Sequence, residues 1–269
     1  MHAWSKNMDE KKRRVAILVA AHMGYWMPND PMYIPVFVGA AGREMPMPNW
    51  KRDDEGNNIS NKNATYCELT GHYWLWKNID ADVYGVCHYR RYFGEMLSFG
   101  NKKQRILSKE HLLKLIDAYD VIVPKKRHYW IETNYTQYAH AHHEQDLILM
   151  RQIIVERCPD YLQDWERIMR RRSGHRFNML IMKKAQFKKY SAWLFDLLFE
   201  LERRLDLSAY SAYDQRVFGF IGERLLDVWL IHEKITPYEQ HVINLESQHW
   251  GKKITAFLGR KIRGYCRSL

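Results

Sequence analysis

The sequence has few cysteines and no long apolar run. Its four cysteines, Cys67, Cys87, Cys158 and Cys266, lie far apart and form no Cys-x-x-Cys pair. This spacing argues against a zinc site and against a disulfide framework, and a reducing cytoplasm is the simplest location. The apolar run over residues 15–21 is too short for a signal peptide or a membrane span. We therefore expect a cytoplasmic protein without a transmembrane segment.

Internal repeats and low-complexity linkers are also absent, so the sequence marks no second domain. A chain of 269 residues, 46% of them apolar, can bury one substantial core. We expect a polar N-terminal extension over residues 1–14, one domain over 15–249 and a basic tail over 250–269.

Positive charge is in excess. Lys and Arg outnumber Asp and Glu by 42 to 31, which gives a net charge of +11. A polyanionic partner is therefore plausible, and nucleic acid, an anionic membrane and a diphosphate substrate would all fit. Aromatic residues make up 14% of the chain, including 10 Trp and 17 Tyr. Such rings stack on sugars and bases, or simply fill an aromatic-rich core.

Apolar patterning predicts an α/β fold with a mostly parallel central sheet flanked by helices. Short strands are predicted over residues 15–20, near 33–38, and over 84–87, 121–123 and 177–182. Helices are predicted over 64–78, after Ser108, around 147–154 and 162–169, and over 187–205 and 217–229. The alternation of strands and helices implies parallel pairing.

Cationic side chains follow two of the predicted strands. His88, Arg90 and Arg91 come directly after the strand over 84–87, and His22 lies in the turn after the first strand. Ligands of open α/β sheets bind beyond the carboxyl ends of the strands, so we expect these residues at the mouth of a site that binds an anion. Surface ion pairs of the two arginines are the alternative.

A carboxylate pair that could suggest a metal site is in the wrong place. Asp80 and Asp82 precede the strand over 84–87 and are expected at the opposite edge of the sheet. At the carboxyl end the chain offers His88, Arg90 and Arg91 instead. We predict that fixed cations stabilise a diphosphate without a required metal cofactor, with a divalent cation as the alternative.

The run over residues 84–93, Tyr-Gly-Val-Cys-His-Tyr-Arg-Arg-Tyr-Phe, resembles the signature of a bacterial domain-of-unknown-function family from capsular and exopolysaccharide gene clusters. Further segments resemble the same family in the same order, at residues 59–63, 66–70, 73–78, 124–127, 178–179, 216–220 and 223–225. The likeness extends to about Glu246.

The resemblance implies a single-domain GT-A-like fold and glycosyl transfer from a nucleotide sugar. The implied donor is UDP-galactofuranose, from which galactofuranose is transferred. The implied acceptor is a saccharide or a lipid-diphosphate-linked molecule of cell-surface polysaccharide assembly. Among the matched positions, Glu68, Asn178 and Arg216 join His22, His88, Arg90 and Arg91 as candidate donor-binding residues.

Two further groups of residues are candidates for the acceptor pocket and for catalysis. His140, His142 and His143 favour a hydrogen-bonding pocket for a sugar or a phosphate; a metal site and a polar surface are the alternatives, and we assign no metal ligand. Inversion at the anomeric carbon requires a carboxylate base. Glu223 is the first candidate and Asp146 and Asp214 are its rivals, while an ion pair with Arg224 or Arg216 is the alternative role of Glu223.

The basic tail is predicted to form an amphipathic helix on an anionic membrane. Its apolar positions are Ile254, Phe257, Leu258, Ile262, Tyr265 and Leu269, and no acidic residue interrupts its basic residues. Docking of this helix on the protein's own core is the alternative. The prediction places the enzyme peripherally on the inner face of the cell membrane.

A binding protein for nucleic acid or an acidic polymer, without catalysis, is the alternative function. It predicts basic and aromatic residues interleaved along one surface. The richest polar clusters instead follow predicted strands, so we expect a UDP-sugar donor as a partner and no nucleic acid.

Overall fold

A computed structural model describes residues 13–95 and 101–246. Its strands are β1 Val15–Ala21, β2 Tyr33–Phe37, β3 Lys51–Arg52, β4 Val83–His88, β5 Arg91–Phe93, β6 Val121–Pro124, β7 Arg127–His128, β8 Ser173–Gly174, β9 Leu180–Lys183, β10 Tyr238–Gln240 and β11 Val242–Asn244. Its helices are α1 Asn63–Tyr66, α2 Leu69–Asn78, α3 Lys109–Ala118, α4 Asn134–Ala141, α5 Glu144–Arg157, α6 Leu162–Arg170, α7 Lys184–Arg204 and α8 Val217–His232.

The main sheet has the strand order β10-β6-β9-β4-β1-β2-β3. β1 pairs in parallel with β2 and β4, and β2–β3 and β6–β10 are also parallel. β9 runs antiparallel to both β4 and β6. β5 and β11 extend the sheet beyond β4, and β7 and β8 form a separate two-stranded antiparallel sheet. The predicted α/β fold with a mostly parallel sheet is confirmed, with β9 as a reversed strand within it.

Apolar side chains cover both faces of the sheet. Leu18 of β1 belongs to the larger core cluster, with α2 and α5 to α8, whereas Ile17 and Val19 belong to the cluster against α3. Successive side chains of a strand point to opposite faces, so a strand covered on both sides is apolar throughout. This arrangement explains why the first strand was recognisable from its sequence.

The predicted helix over residues 64–78 is wrong as one continuous helix. It breaks at Cys67, whose φ is +52°, and α2 begins two residues later. The Asn63 side chain donates hydrogen bonds to the Cys67 carbonyl at 2.7 Å and to Thr70 Oγ1 at 3.0 Å. The break is therefore held by specific hydrogen bonds, and it sets the position of Glu68.

The predicted strand over 177–182 is wrong at its start. Phe177 and Asn178 have φ values of +80° and +50°, and β9 begins only at Leu180. Backbone in this region cannot continue an extended strand. Asn178 therefore lies in a turn before the strand. The short strands β10 and β11 had no counterpart in the prediction.

Several predicted boundaries fall where the structure gives no description. The tail over 250–269, with its predicted amphipathic helix, lies outside the described residues, as do residues 1–12 of the N-terminal extension and the last three residues of the domain over 15–249. Within the two described ranges, no helix is long and apolar enough to cross a membrane.

Candidate functional site

The reversed strand β9 brings its preceding turn to the carboxyl edge of the sheet. His88, at the end of β4, donates a hydrogen bond from Nε2 to the Phe177 carbonyl at 2.6 Å. Because β9 runs opposite to β4, the residues before β9 lie beside the last residue of β4. The carboxyl edge is where α/β sheets bind their ligands, so this turn belongs to the candidate site.

Two carboxylates flank this turn, which we call the 177–178 turn. The Asn178 amide donates to Glu68 Oε1 at 2.6 Å and to the Gly219 carbonyl at 3.0 Å. The Phe177 backbone N–H donates to Glu223 Oε1 at 2.8 Å. Glu68 comes from the helix break before α2, and Glu223 comes from the second turn of α8. The fold thus unites three residues that are distant in sequence.

Arg90 and Arg91 lie in different surroundings. The Arg91 guanidinium stacks 4.7 Å from the centre of the Phe177 ring and interacts electrostatically with Glu68 and Glu223. Its Nε is buried and has no hydrogen-bond partner among the described residues. Burial and the adjacent Arg90 lower the pKa of Arg91. A buried cation with a free donor, next to a ring and two carboxylates, is arranged to receive a further anionic group.

Arg90 points to the outside of the site. It forms an ion pair with Glu246, Nη1 to Oε2 at 2.9 Å, and its side chain is 40% exposed. Its guanidinium also stacks on the ring of Tyr89. The alternative of a surface ion pair therefore describes Arg90, whereas Arg91 belongs to the site.

His22 lies at the edge of this region. Its Nε2 is 3.4 Å from the hydroxyl of Tyr89, the ring on which Arg90 stacks. Burial, and then the charges of Arg90 and Arg43, lower the pKa of His22. His22 is therefore neutral near pH 7 and serves as a hydrogen-bonding group rather than as a cation.

The described part of the chain contains a small cavity of about 230 Å³. Its lining includes Tyr25 and Trp26, which follow the first strand, and Leu245, whose N–H donates to the Arg90 carbonyl at 3.0 Å. These two aromatic residues were not among the sequence candidates. Their place in the loop after the first strand was the signal that could have identified them.

Arg216 connects the helix break to an aromatic group. Its Nε donates to Cys67 Sγ at 3.1 Å, and its guanidinium lies 5.7 Å from the Tyr213 ring and 5.4 Å from the Phe220 ring. Burial, followed by the charge of Glu68, raises the pKa of Cys67 to about 11. The thiol is therefore protonated near neutral pH and is not a nucleophile.

The three predicted pocket histidines separate into two places. His142 stacks on Phe220 at 4.1 Å between centroids, and its Nδ1 is 3.3 Å from Asp214 Oδ1. His143 stacks on Tyr210, and its Nε2 is 3.8 Å from Asp214 Oδ2. His140 lies apart from them: it is 70% exposed and pairs with Glu132.

Both carboxylate oxygens of Asp146 accept a hydrogen bond from a tyrosine hydroxyl. Tyr138 donates to its Oδ2 at 2.5 Å and Tyr210 to its Oδ1 at 2.6 Å, and the residue is only 1% exposed. Burial raises the pKa of Asp146. With both oxygens occupied, Asp146 supports the aromatic group around His143 and does not face an acceptor.

The sequence candidates did not include Arg176, which lies behind Glu223. Its Nε is 3.9 Å from Glu223 Oε2 and donates to the Tyr129 hydroxyl at 2.5 Å. Its guanidinium also bonds Asn134 and lies 3.8 Å from the buried Asp227. Arg176 precedes what was predicted to be a strand, and only the reversal of that strand reveals its place.

Neither edge of the described sheet offers a metal site. In residues 13–95 and 101–246, no three His, Cys, Asp or Glu side chains are grouped so that they could hold a metal ion. Asp80 bonds Arg14 and Lys184 at 2.6 Å each, and Asp82 accepts from the Arg14 N–H at 2.8 Å. Both precede β4, which confirms their predicted position at the opposite edge.

The fold is similar to that of a glycosyltransferase of known structure. A structure described as the bifunctional glycosyltransferase WbbM, without ligand, matches with a TM-score of 0.79 and 28% sequence identity over 87% of this chain. The match covers 45% of the WbbM chain, so the present chain spans less than half the length of that protein.

The family is shown by a second comparison. The domain of unknown function DUF4422 matches residues 16–234, and the chain belongs to this family. Among curated proteins, none matches the sequence significantly.

Proposed function

We propose that this chain is a nucleotide-sugar-dependent glycosyltransferase with a GT-A-like fold. The proposal rests mainly on one observation: Glu68, Glu223 and Arg91 all contact the 177–178 turn. Likeness to a bifunctional glycosyltransferase over most of the chain supports the same reaction class. UDP-galactofuranose is the proposed donor, on the family resemblance of the segment over 84–93.

Cationic side chains stabilise the leaving diphosphate in this proposal. Arg91 has a free buried donor, and Arg216 interacts electrostatically with Glu68. Fixed cations in a partly desolvated site stabilise developing negative charge without reorganisation. His88 acts indirectly, because its hydrogen bond to Phe177 holds the turn in place.

Glu223 is the proposed base. Its Oε1 is fixed by the Phe177 N–H, while its Oε2 lies beyond hydrogen-bond distance of Arg176, and the side chain is 20% exposed. The acceptor hydroxyl oxygen attacks the anomeric carbon, its proton passes to Glu223, and the diphosphate leaves from the opposite face with inversion. Asp146 lacks a free oxygen for this task, and Asp214 is engaged by Ser211 and His142.

The proposed acceptor surface is the aromatic group of His142, His143 and Tyr213. Phe220 joins it to Arg216, so this surface continues from the donor site. Flat rings with polar edges suit a saccharide. A lipid-diphosphate-linked or saccharide acceptor of cell-surface polysaccharide assembly, used at the inner face of the membrane, completes the proposal.

The test is an assay of UDP release on a panel of nucleotide sugars with synthetic lipid-linked acceptors, with and without chelator. We expect the highest turnover with UDP-galactofuranose, and no loss in EDTA, because the cations replace a metal. A protein that turns over no nucleotide sugar, yet binds oligonucleotide rather than UDP at moderate salt, would instead be the binding protein of the alternative function.

A further inference from the structure

The two most exposed large apolar residues of the described chain are neighbours. Trp130 is 81% exposed and Ile131 is 68% exposed. They lie at the tip of the segment over residues 129–133, between β7 and α4, which we call the Trp130 loop. Single exposed apolar residues are ordinary, but an adjacent aromatic and aliphatic pair at a loop tip indicates a contact surface.

The backbone holds this tip in an uncommon conformation. Trp130 has a φ of +61°, and the Ile131 N–H donates to the Tyr129 carbonyl at 2.7 Å, which closes a three-residue turn. Positive φ is rare for a bulky residue and requires support from its surroundings. Support comes from Arg172, whose carbonyl accepts from the Tyr129 N–H at 2.8 Å and whose guanidinium donates to the Trp130 carbonyl at 3.4 Å.

Arginines flank the tip along the chain and on the strand that pairs with β7. Arg127 is exposed in β7, and three consecutive arginines, Arg170, Arg171 and Arg172, lead into β8, which pairs with β7. The one acidic residue within the loop, Glu132, already pairs with His140. The loop therefore presents an apolar tip with arginines beside it, of which Arg170 also pairs with Glu166 at 3.8 Å.

We propose that the Trp130 loop docks the protein on an anionic bilayer surface. The Trp130 ring would lie at the level of the lipid headgroups, Ile131 at the boundary of the acyl chains, and the arginines beside the lipid phosphates. A saccharide platform would combine the ring with amide or carboxylate groups for the sugar hydroxyls. The aliphatic Ile131 and the arginines fit lipid instead.

The root of the loop contacts the candidate site. The Tyr129 hydroxyl accepts a hydrogen bond from Arg176 Nε, and the same nitrogen lies 3.9 Å from Glu223 Oε2. A bilayer bound at the tip therefore lies near the proposed base. This inference rests on the proposed function, in which the acceptor is carried on a lipid diphosphate.

The test compares full-length variants by cosedimentation with vesicles, without donor or acceptor. Trp130→Ser/Ile131→Ser is expected to lower partition onto phosphatidylcholine–phosphatidylglycerol vesicles by about tenfold or more, since a small buried apolar area supplies much of interfacial affinity. Ile148→Ser/Val155→Ser, at two exposed positions of α5, is the matched control and is expected to bind like the wild type. Arg170→Glu is expected to weaken binding, and Lys188→Glu on α7 is not.

Hydrogen exchange locates the contact independently of any other membrane-binding segment. Backbone amides of residues 129–133 are expected to become protected on anionic vesicles and not on neutral ones. Wild-type binding by the Trp130 variant, or unprotected amides in this loop, overturns the proposal. Transfer to a short soluble acceptor is assayed separately, so a failure of the docking surface and a failure of the proposed reaction give different results.

Discussion

At the scale of single residues, neighbours in sequence occupy different environments. Arg91 is half-buried over Phe177 with a free donor, whereas Arg90 pairs with Glu246 at the surface. We expect Arg91→Ala to lower kcat/KM for transfer by about 10²-fold, because it removes charge stabilisation at the leaving group. Arg90→Ala is the matched control, expected to lose less than about tenfold, since exposed ion pairs contribute little. Equal losses in steady-state assays of the two variants would contradict this assignment.

The carboxylates allow a second comparison. In Glu223→Gln, the side-chain oxygen can still accept from the Phe177 N–H, so the turn and UDP binding are expected to persist. Transfer is expected to fall by about 10² to 10⁴-fold, because the base is lost. Asp146→Asn is the control, since an amide oxygen can still accept from a phenol of Tyr138 or Tyr210. Calorimetric UDP titration and transfer rates check both; normal transfer by Glu223→Gln would pass the role to Asp214.

At the scale of elements, one buried carboxylate fastens the segment after β2 to the start of α2. Asp53 is fully buried and accepts hydrogen bonds from the N–H groups of Gly39 and Ala40 and from the hydroxyls of Ser60 and Thr70. Removing this carboxylate leaves four hydrogen-bond donors without their acceptor, and this costs more free energy of unfolding than the loss of a single contact.

We therefore expect Asp53→Ala to lower the free energy of unfolding by about 3 kcal/mol. Asp54→Ala is the matched control, because Asp54 pairs with Arg52 near the surface and its loss is expected to change stability little. Urea denaturation of the two variants measures the difference. Equal stabilities would show that the segment is held mainly by apolar contacts.

The packing of α2 on α7 introduces a dependence of stability on pH. His72 is fully buried, stacks on Phe187 and bonds Ser191, and burial lowers its pKa to about 3. Below pH 6.5 the His72 side chain is protonated in the unfolded chain but stays neutral in the folded chain. The free energy of unfolding therefore falls as the pH falls. We expect this histidine to cost about 3 kcal/mol of stability between pH 7 and pH 4.

His72→Phe isolates this contribution, because phenylalanine can stack on Phe187 and does not titrate. The variant is expected to lose less stability on acidification than the wild type, whatever its stability at pH 7. Parallel pH profiles of the two proteins in urea denaturation would contradict the prediction.

The sequence predicted elements with regular apolar spacing and failed where long-range hydrogen bonds override that spacing. Tyr66, Leu69 and Tyr73 keep helical spacing across the break at Cys67, so nothing local marks it. Candidates at parallel strand ends, such as His88, were predictable by position. Arg176 and Phe177 were not, because apolar periodicity contains no information about the direction of β9.

At the scale of the whole molecule, the net charge of +11 is the property that the Trp130 loop and the C-terminal tail would both use. Deleting residues 250–269 is expected to weaken cosedimentation with anionic vesicles and to spare transfer to a short soluble acceptor, because the family match ends at residue 234. Thermal unfolding checks that the shortened chain folds. Undiminished cosedimentation in low salt would remove the tail from membrane binding.

The order of strands in the sheet also differs from the order in which they are made. β9 lies between β4 and β6, yet it is synthesised after both and after α4, α5 and α6. On the ribosome, the facing edges of β4 and β6 therefore keep unpaired N–H and C=O groups until β9 is synthesised. Until then, another strand can pair wrongly with either edge. The arrival of β9 closes both edges and delivers the 177–178 turn. The event that brings this turn into place thus also closes these two edges to pairing with a wrong partner.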